Sequence, residues 1–203
     1  SSRLRFSAKK TMMLAQQLYE GVELGPEGPV GLITYMRTDS TRVSDVARQE
    51  GIQYILKPLG EEYVPETERK FKVSKSAQDA HEAIRPTSVV RSPDKVRKFL
   101  SADQHALYEL VWRRFVASLM SSAVYQATTA DIVAGEATFR ASGSQLRFDG
   151  YLKVYPDARE KEDGEGVLPP LAVDQALALQ QLVPRQHFTE PPPRYSEASL
   201  VKA

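Results

Sequence analysis

Tyr35 and Arg37 are the two residues whose types and spacing most suggest chemistry. A tyrosine hydroxyl can act as a covalent nucleophile, although a phenol with a pKa of about 10 is mostly protonated at neutral pH. Leu32, Ile33 and Thr34 precede the pair as a short apolar, β-branched run, which predicts a strand entering a core. Residues two apart on an extended segment point the same way, so the phenol and the guanidinium are expected side by side. A fixed arginine favours the phenolate and can grip a phosphate through two N–H bonds. Such a pair suits attack on a phosphodiester. The same Tyr-x-Arg also fits a core strand running into the polar turn Thr38-Asp39-Ser40-Thr41, with Tyr35 a half-buried aromatic. For so short a pattern, which recurs by chance, the plain core-strand reading is the favoured one.

His81 and Arg85 form a second candidate cluster. Ser76-Ala77-Gln78-Asp79 has the form of a capping box and predicts a short helix that Pro86 stops. Four residues apart, His81 and Arg85 would share a face of that helix. Beside a Tyr–Arg strand they would make a phosphate-binding surface. An exposed polar helix face is the plainer account, and Arg85 in a last turn would suit the helix dipole equally well. Of the carboxylates, Asp39 in residues 33–41 reads as a turn former and Glu82 in residues 80–87 as a first-turn helix acid.

Longer motifs carry more. Ile33 to Thr41, ITYMRTDST, resembles the active-site segment of the bacterial type IA DNA topoisomerases, and Ala80 to Thr87, AHEAIRPT, resembles a second segment of the same family in the same order. Met36 fits the topoisomerase I branch, since the topoisomerase III branch more often carries Pro there. The resemblance covers nearly all of the chain and implies a fold, a reaction and roles. Tyr35 would be the nucleophile and Arg37 its positioning, charge-stabilising partner, with His81 and Arg85 on the DNA-binding face. The reaction would be cleavage and religation of single-stranded DNA through a 5′-phosphotyrosine, relaxing negatively supercoiled duplex. In the family, Mg²⁺ and a general-acid carboxylate belong to an N-terminal domain outside this stretch, so no metal ligands are expected here and the stretch alone is expected to be inactive. The implied location is cytoplasmic, at the bacterial nucleoid, and the implied state is a monomer.

The elements that must hold these residues follow from caps and periodicity. Ser7 is expected to cap a helix from Ala8 to about Glu20, ended by Gly21, with Met12, Ala15 and Tyr19 on one core-packing face and Met13 also packed. Gly25-Pro26-Glu27-Gly28-Pro29 reads as a turn. Ser44 caps a helix from Asp45 to about Lys57 with an apolar stripe of Ile52, Ile55, Leu56 and Leu59. Glu61 to Val73 reads as a charged loop or short strand. Ser92-Pro93 starts a short helix through Leu100. A capping box at Ser101 to Gln104 begins a helix to about Ser121. Leu107, Leu110, Val111, Phe115 and Leu119 form its core side, and Trp112, Arg113 and Arg114 its other side. After Ala123 the period becomes two. Tyr125 to Val133 reads as a strand, and Ala137 to Ala141 and Gln145 to Phe148 as a hairpin around Ser142-Gly143-Ser144. Tyr151 to Tyr155 reads as further strand, residues 156–170 as a loop, Gln175 to Thr189 as a long strand interrupted at Pro184, and Pro191 to Pro193 as a stiff linker before a helix capped by Ser196.

The expected class is therefore α+β. Residues 1–122 form a helical domain, 123–193 an antiparallel β domain, and 194–203 the start of a further helix. By resemblance these are a winged-helix-like domain and the second pass of an arch spanning a hole large enough for DNA. The lack of an initiator Met and the helix signal at the C-terminal end give the chain the look of an excised piece.

Composition bounds the function classes. The chain has 203 residues, 41% hydrophobic and 26% charged, which is ordinary for a globular protein of one or two domains. No cysteine means no disulfide framework, no thiolate metal site and no Cys nucleophile; the Cys-based zinc modules common in the resembling family have no counterpart here. No apolar run approaches the ~20 residues of a membrane span. The net charge is only +1, so nucleic-acid binding would need charge gathered locally, as it is in Arg3, Arg5, Lys9 and Lys10. No internal repeat, Gly-rich phosphate loop or HExxH pattern is present. Two other classes fit Tyr35 and Arg37: a non-catalytic single-stranded DNA-binding module in which the ring stacks on a base, and a purely structural interaction domain.

Overall fold

Ser7, Ser44 and Ser101 each begin a helix by accepting a backbone N–H bond on the side chain. Helix α1 (Ala8–Glu20) ends at Gly21, helix α2 (Asp45–Leu59) at Gly60, and helix α3 (Pro93–Val96) runs into a 3-10 turn at Arg97–Phe99. Helix α4 (Ala102–Ser118) has the full capping box, with the Gln104 side chain returning to the Ser101 backbone. The computed structural model describes residues 3–38, 40–67, 69, 81–156 and 167–200. The chain forms two units, Ser1–Val124 with Phe148–Asp157, and Tyr125–Arg147 with Ala158–Ala203.

The first unit is built around α1, α2 and α4. Leu14, Leu18, Leu32, Ile33, Ile55, Tyr108, Phe115, Val116 and Met120 are buried in one core. A two-stranded antiparallel ribbon, β1 (Val22–Glu23) and β2 (Pro29–Val30), pairs Val22 with Val30 across the 3-10 turn Gly25–Glu27. Three expectations fail here. Met12 and Met13 are 42% and 53% exposed, because α1 buries the Leu14, Ala15, Leu18 side instead. Trp112 is buried rather than outward, since α4 packs on two sides and buries Tyr108, Trp112 and Val116 as well as Leu107 and Phe115. Tyr151 to Tyr155 is not strand but follows a 3-10 turn at Gly150–Lys153, with the Tyr151 N–H on the Ser121 carbonyl.

In the second unit, β3 (Val124–Ala134) and β4 (Ala137–Phe148) pair into a two-stranded sheet. Contacts of Asp131 with Arg140, Thr129 with Ser142 and Gln126 with Arg147 run in opposite order along the strands, as antiparallel pairing requires. The turn is at Gly135-Glu136, where Gly135 has φ 63°, and not at Ser142-Gly143-Ser144, which lies inside β4. Residues 175–189 form no strand. A strand needs a ladder partner for its backbone groups, and among the described residues this segment has none. Helix α5 (Glu197–Leu200) begins after Ser196, whose side chain accepts the Ser199 N–H. Helices with two small sheets make the chain α+β, as expected.

Close approach at Gly31 ties α1 to the segment carrying the candidate tyrosine. The Leu32 N–H bonds the Leu18 carbonyl at 2.7 Å, and a Cβ added at Gly31 would lie 2.7 Å from the backbone oxygen of Tyr19. Neither backbone can yield without breaking the other contact. Gly31→Ala is therefore expected to lower the unfolding free energy by about 1–3 kcal/mol through overpacking. The measurement is the urea midpoint at unchanged slope; wild-type stability would show that the two backbones have room to part.

Candidate active site

Thr34 assembles the site. Its N–H donates to the Arg85 carbonyl at 2.9 Å, its hydroxyl donates to the Ala83 carbonyl at 2.7 Å, and the same oxygen accepts the Arg85 N–H at 3.0 Å. Next to it Ile33 and Pro86 form an antiparallel bridge, flanked by the Thr87 N–H on the Leu32 carbonyl at 3.0 Å. Within that pattern Ile33 and Pro86 are the pair that exchanges no backbone bonds, so the missing N–H of proline costs nothing. The Thr87 hydroxyl adds a bond to the Gly31 carbonyl. Two segments about fifty residues apart in sequence are thereby locked edge to edge.

This lock overturns the expected helix at 81–85. The Ala83 N–H is spent on the Arg42 carbonyl, and the Ala83 and Arg85 carbonyls are spent on Thr34. A helix would need those groups for its own ladder. His81 and Arg85 are consequently not on one helix face, and Glu82 is not a first-turn acid. Ser76-Ala77-Gln78-Asp79, the expected capping box, and Asp39, the expected turn former, lie outside the described residues.

The lock does bring Tyr35 and His81 together. Their ring centroids are 6.4 Å apart at 54°. Tyr35 is 42% exposed between buried Ile33 and buried Met36. Tyr19, from the last turn of α1, meets it edge-on at 5.4 Å and 62°. Met36 and Arg37 form a bend, so strand alternation is not what places Arg37. The Arg37 side chain is exposed and has no hydrogen-bond or ion-pair partner among the described residues. Thr38 and Ser40 shape the following loop, their hydroxyls accepting the N–H of Ser40 and Arg42.

Arg85 is placed differently. Its guanidinium donates twice to Glu82, at 2.6 and 3.1 Å, and once to the Pro86 carbonyl at 2.9 Å. Burial pushes the Glu82 carboxyl up, but the hydrogen bond and charge of Arg85, with the Ser44 hydroxyl and the Arg42 charge, outweigh it and hold the group below its ordinary value. The residues that sequence reasoning missed are Tyr19, read as core, and Thr34, read only as strand. Tyr19 fitted the same 12/15/19 spacing that suggested burial, and nothing local marks Thr34 as a clasp. Among the described residues no group of three His, Asp or Glu could hold a metal ion, and no helix is long and apolar enough to cross a membrane.

The sign of the Glu82 shift sets a pH dependence. A carboxyl depressed in the folded state adds stability above its unfolded pKa, and that stability is lost as pH falls through the folded one. Glu82→Gln is expected to cost about 1–3 kcal/mol at pH 7. It should also flatten the fall in stability below the ordinary glutamate range. Urea titrations at pH 7 and at acid pH measure both, and parallel pH curves for the two proteins would reject the pairing.

Against this geometry stand two comparisons. The family model described as DNA topoisomerase matches residues 1–203. The solved structure of full-length topoisomerase I from Thermotoga maritima, in a monoclinic crystal form, is 46% identical with a TM-score of 0.67, over 78% of this chain and 25% of that one. This chain thus spans about a quarter of that relative's length. A match along the whole sequence, a shared fold and an exposed tyrosine presented beside an imidazole agree: the chain belongs to the bacterial DNA topoisomerases of type IA.

Proposed function

We propose that Tyr35 is the nucleophile of a reversible transesterification on single-stranded DNA. The observation that carries this reading is the exposed Tyr35 ring on a segment fixed by the Thr34 clasp, in a chain of this family. The phenol oxygen attacks the phosphorus of a phosphodiester and gives up its proton. The bond from phosphorus to the 3′ oxygen breaks, that oxygen takes up a proton, and the 5′ end stays on the enzyme as a phosphotyrosine. Strand passage follows, and the 3′-hydroxyl attacks the phosphotyrosine to restore both partners. The ester energy is retained in the covalent link, so relaxation of negatively supercoiled DNA by a monomer needs no ATP.

Arg37 supplies N–H donors to the phosphoryl oxygens as charge grows on them. His81 contacts the same DNA from beside the Tyr35 ring. Arg85 acts from behind, since its donors hold Glu82 and Pro86 in place. Mg²⁺ bound in the intact enzyme would supply positive charge for holding the DNA, and among the described residues no group of three His, Asp or Glu fits it. Residues 1–203 alone should accordingly leave a supercoiled plasmid unrelaxed.

The test traps covalent protein–DNA complex with denaturant, using an end-labelled single-stranded oligonucleotide and the intact enzyme. Tyr35→Phe should form no complex and still bind DNA, since one oxygen is lost and the ring is kept. Arg37→Lys should cleave on the order of 10²–10³ more slowly, because lysine keeps the charge and loses the planar fork. Complex from Tyr35→Phe would overturn the nucleophile; wild-type cleavage by Arg37→Lys would make Arg37 structural. Salt-dependent binding without any trapping in the wild type would favour a non-catalytic DNA-binding module.

A further inference from the structure

Tyr19 stands in the last turn of α1 with its ring 40% exposed, although the residues one turn before it, Ala15 and Leu14, are buried. The ring is turned toward Tyr35, edge to face, at 5.4 Å and 62°. This is an arrangement that aromatic quadrupoles favour. The approach is built into the backbone. The Leu32 N–H holds the Leu18 carbonyl, and Gly31 passes so near the Tyr19 carbonyl that no side chain fits between them. Tyr19 and Tyr35 are therefore neighbours by construction, and not two surface rings that happen to meet.

A nucleophile that is 42% exposed has a presentation problem. Its χ1 and χ2 are free to sample rotamers unless something restrains the ring, and attack needs the oxygen within about 3–3.5 Å of its target. The Thr34 clasp fixes the backbone but not the ring. His81 at 6.4 Å is the more distant of the two aromatic neighbours. Tyr19 is the nearer one, and it is anchored on a thirteen-residue helix.

We propose that Tyr19 is a positioning residue that holds the Tyr35 ring in its attacking orientation before DNA arrives. The role belongs to the ring and not to the hydroxyl, and it acts through Tyr35 without touching the reacting phosphate. This rests on the assignment of Tyr35 as nucleophile.

The experiment uses the intact enzyme, a single-stranded oligonucleotide and three variants: Tyr19→Phe, Tyr19→Leu and Tyr19→Met. Leu and Met are good helix formers, so α1 should persist in either. Single-turnover formation of covalent complex should fall about tenfold in Tyr19→Leu and Tyr19→Met, in line with loss of one aromatic pair from the transition state. The oligonucleotide Kd should stay within about twofold, and Tyr19→Phe should cleave at the wild-type rate. Wild-type cleavage by both non-aromatic variants would overturn the proposal. So would a Kd that weakens in proportion to the rate, which would make Tyr19 a DNA contact, or a rate loss matched by a fall in Tm and shared by Tyr19→Phe. Covalent complex in a Tyr35→Phe control would instead remove the nucleophile itself, so the two failures read differently.

Discussion

One threonine side chain holds the candidate site together. Thr34 uses its N–H and both capacities of its hydroxyl on Ala83 and Arg85, and no other contact between these segments satisfies as many backbone groups at once. Each such bond contributes about 0.5–1.5 kcal/mol net, but losing the hydroxyl would leave a carbonyl and an N–H in a partly buried place without partners, which costs more than the bonds contribute. The clasp also closes a loop of about fifty residues, and the entropy of that closure must be met by the contacts that follow from it. These include the Trp112 indole on the Val89 carbonyl, the Tyr108 hydroxyl on the Arg91 carbonyl and Glu50 on Ser88. Helix α4, with α2, thus grips the downstream end of the same strap whose upstream end presents His81.

What was legible in the sequence was what is decided locally. Ser7 and Gly21 bound α1 at the residues expected, and Ser101 with Gln104 marked α4, because a cap needs only groups within four residues. Motif content was legible for the same reason: ITYMRTDST and AHEAIRPT are contiguous. The conformation of the second motif was not. His81 to Arg85 has the spacing of a helix face, yet its backbone is committed to Thr34 and Arg42, and no window of local sequence contains those partners. The i,i+3 pair of Glu82 and Arg85 survives without the helix that would normally explain it.

The β region failed by the same logic. Ala134-Gly135-Glu136-Ala137 and Ser142-Gly143-Ser144 both carry turn chemistry, and register chooses between them. Turning at Gly135 lets Arg140 meet Asp131 and keeps two long strands paired; turning at Gly143 would discard the Asp131–Arg140 ion pair and shorten the ladder. Gly143 is buried inside β4, where the lack of a side chain does not interrupt pairing. Residues 175–189 show the converse. Their alternation of apolar and polar residues is genuine, but alternation only describes which face a strand would bury, and it supplies no partner for the backbone.

The two motif arginines show how identical chemistry is divided by environment. Arg85 has every nitrogen engaged within the protein, and its nearest carboxylate is held ionised against the cost of burial. Moving that guanidinium to an anionic ligand would take from Glu82 its two hydrogen bonds to Arg85 and leave only the Ser44 hydroxyl and the Arg42 charge to hold a part-buried carboxylate. Arg37 faces no such exchange. Its side chain has no hydrogen-bond or ion-pair partner among the described residues, so a charge-assisted, two-pronged contact to an anion would break no contact of the fold. The two guanidiniums are thus divided: that of Arg85 stiffens the strap, and that of Arg37 makes no hydrogen bond or ion pair among the described residues.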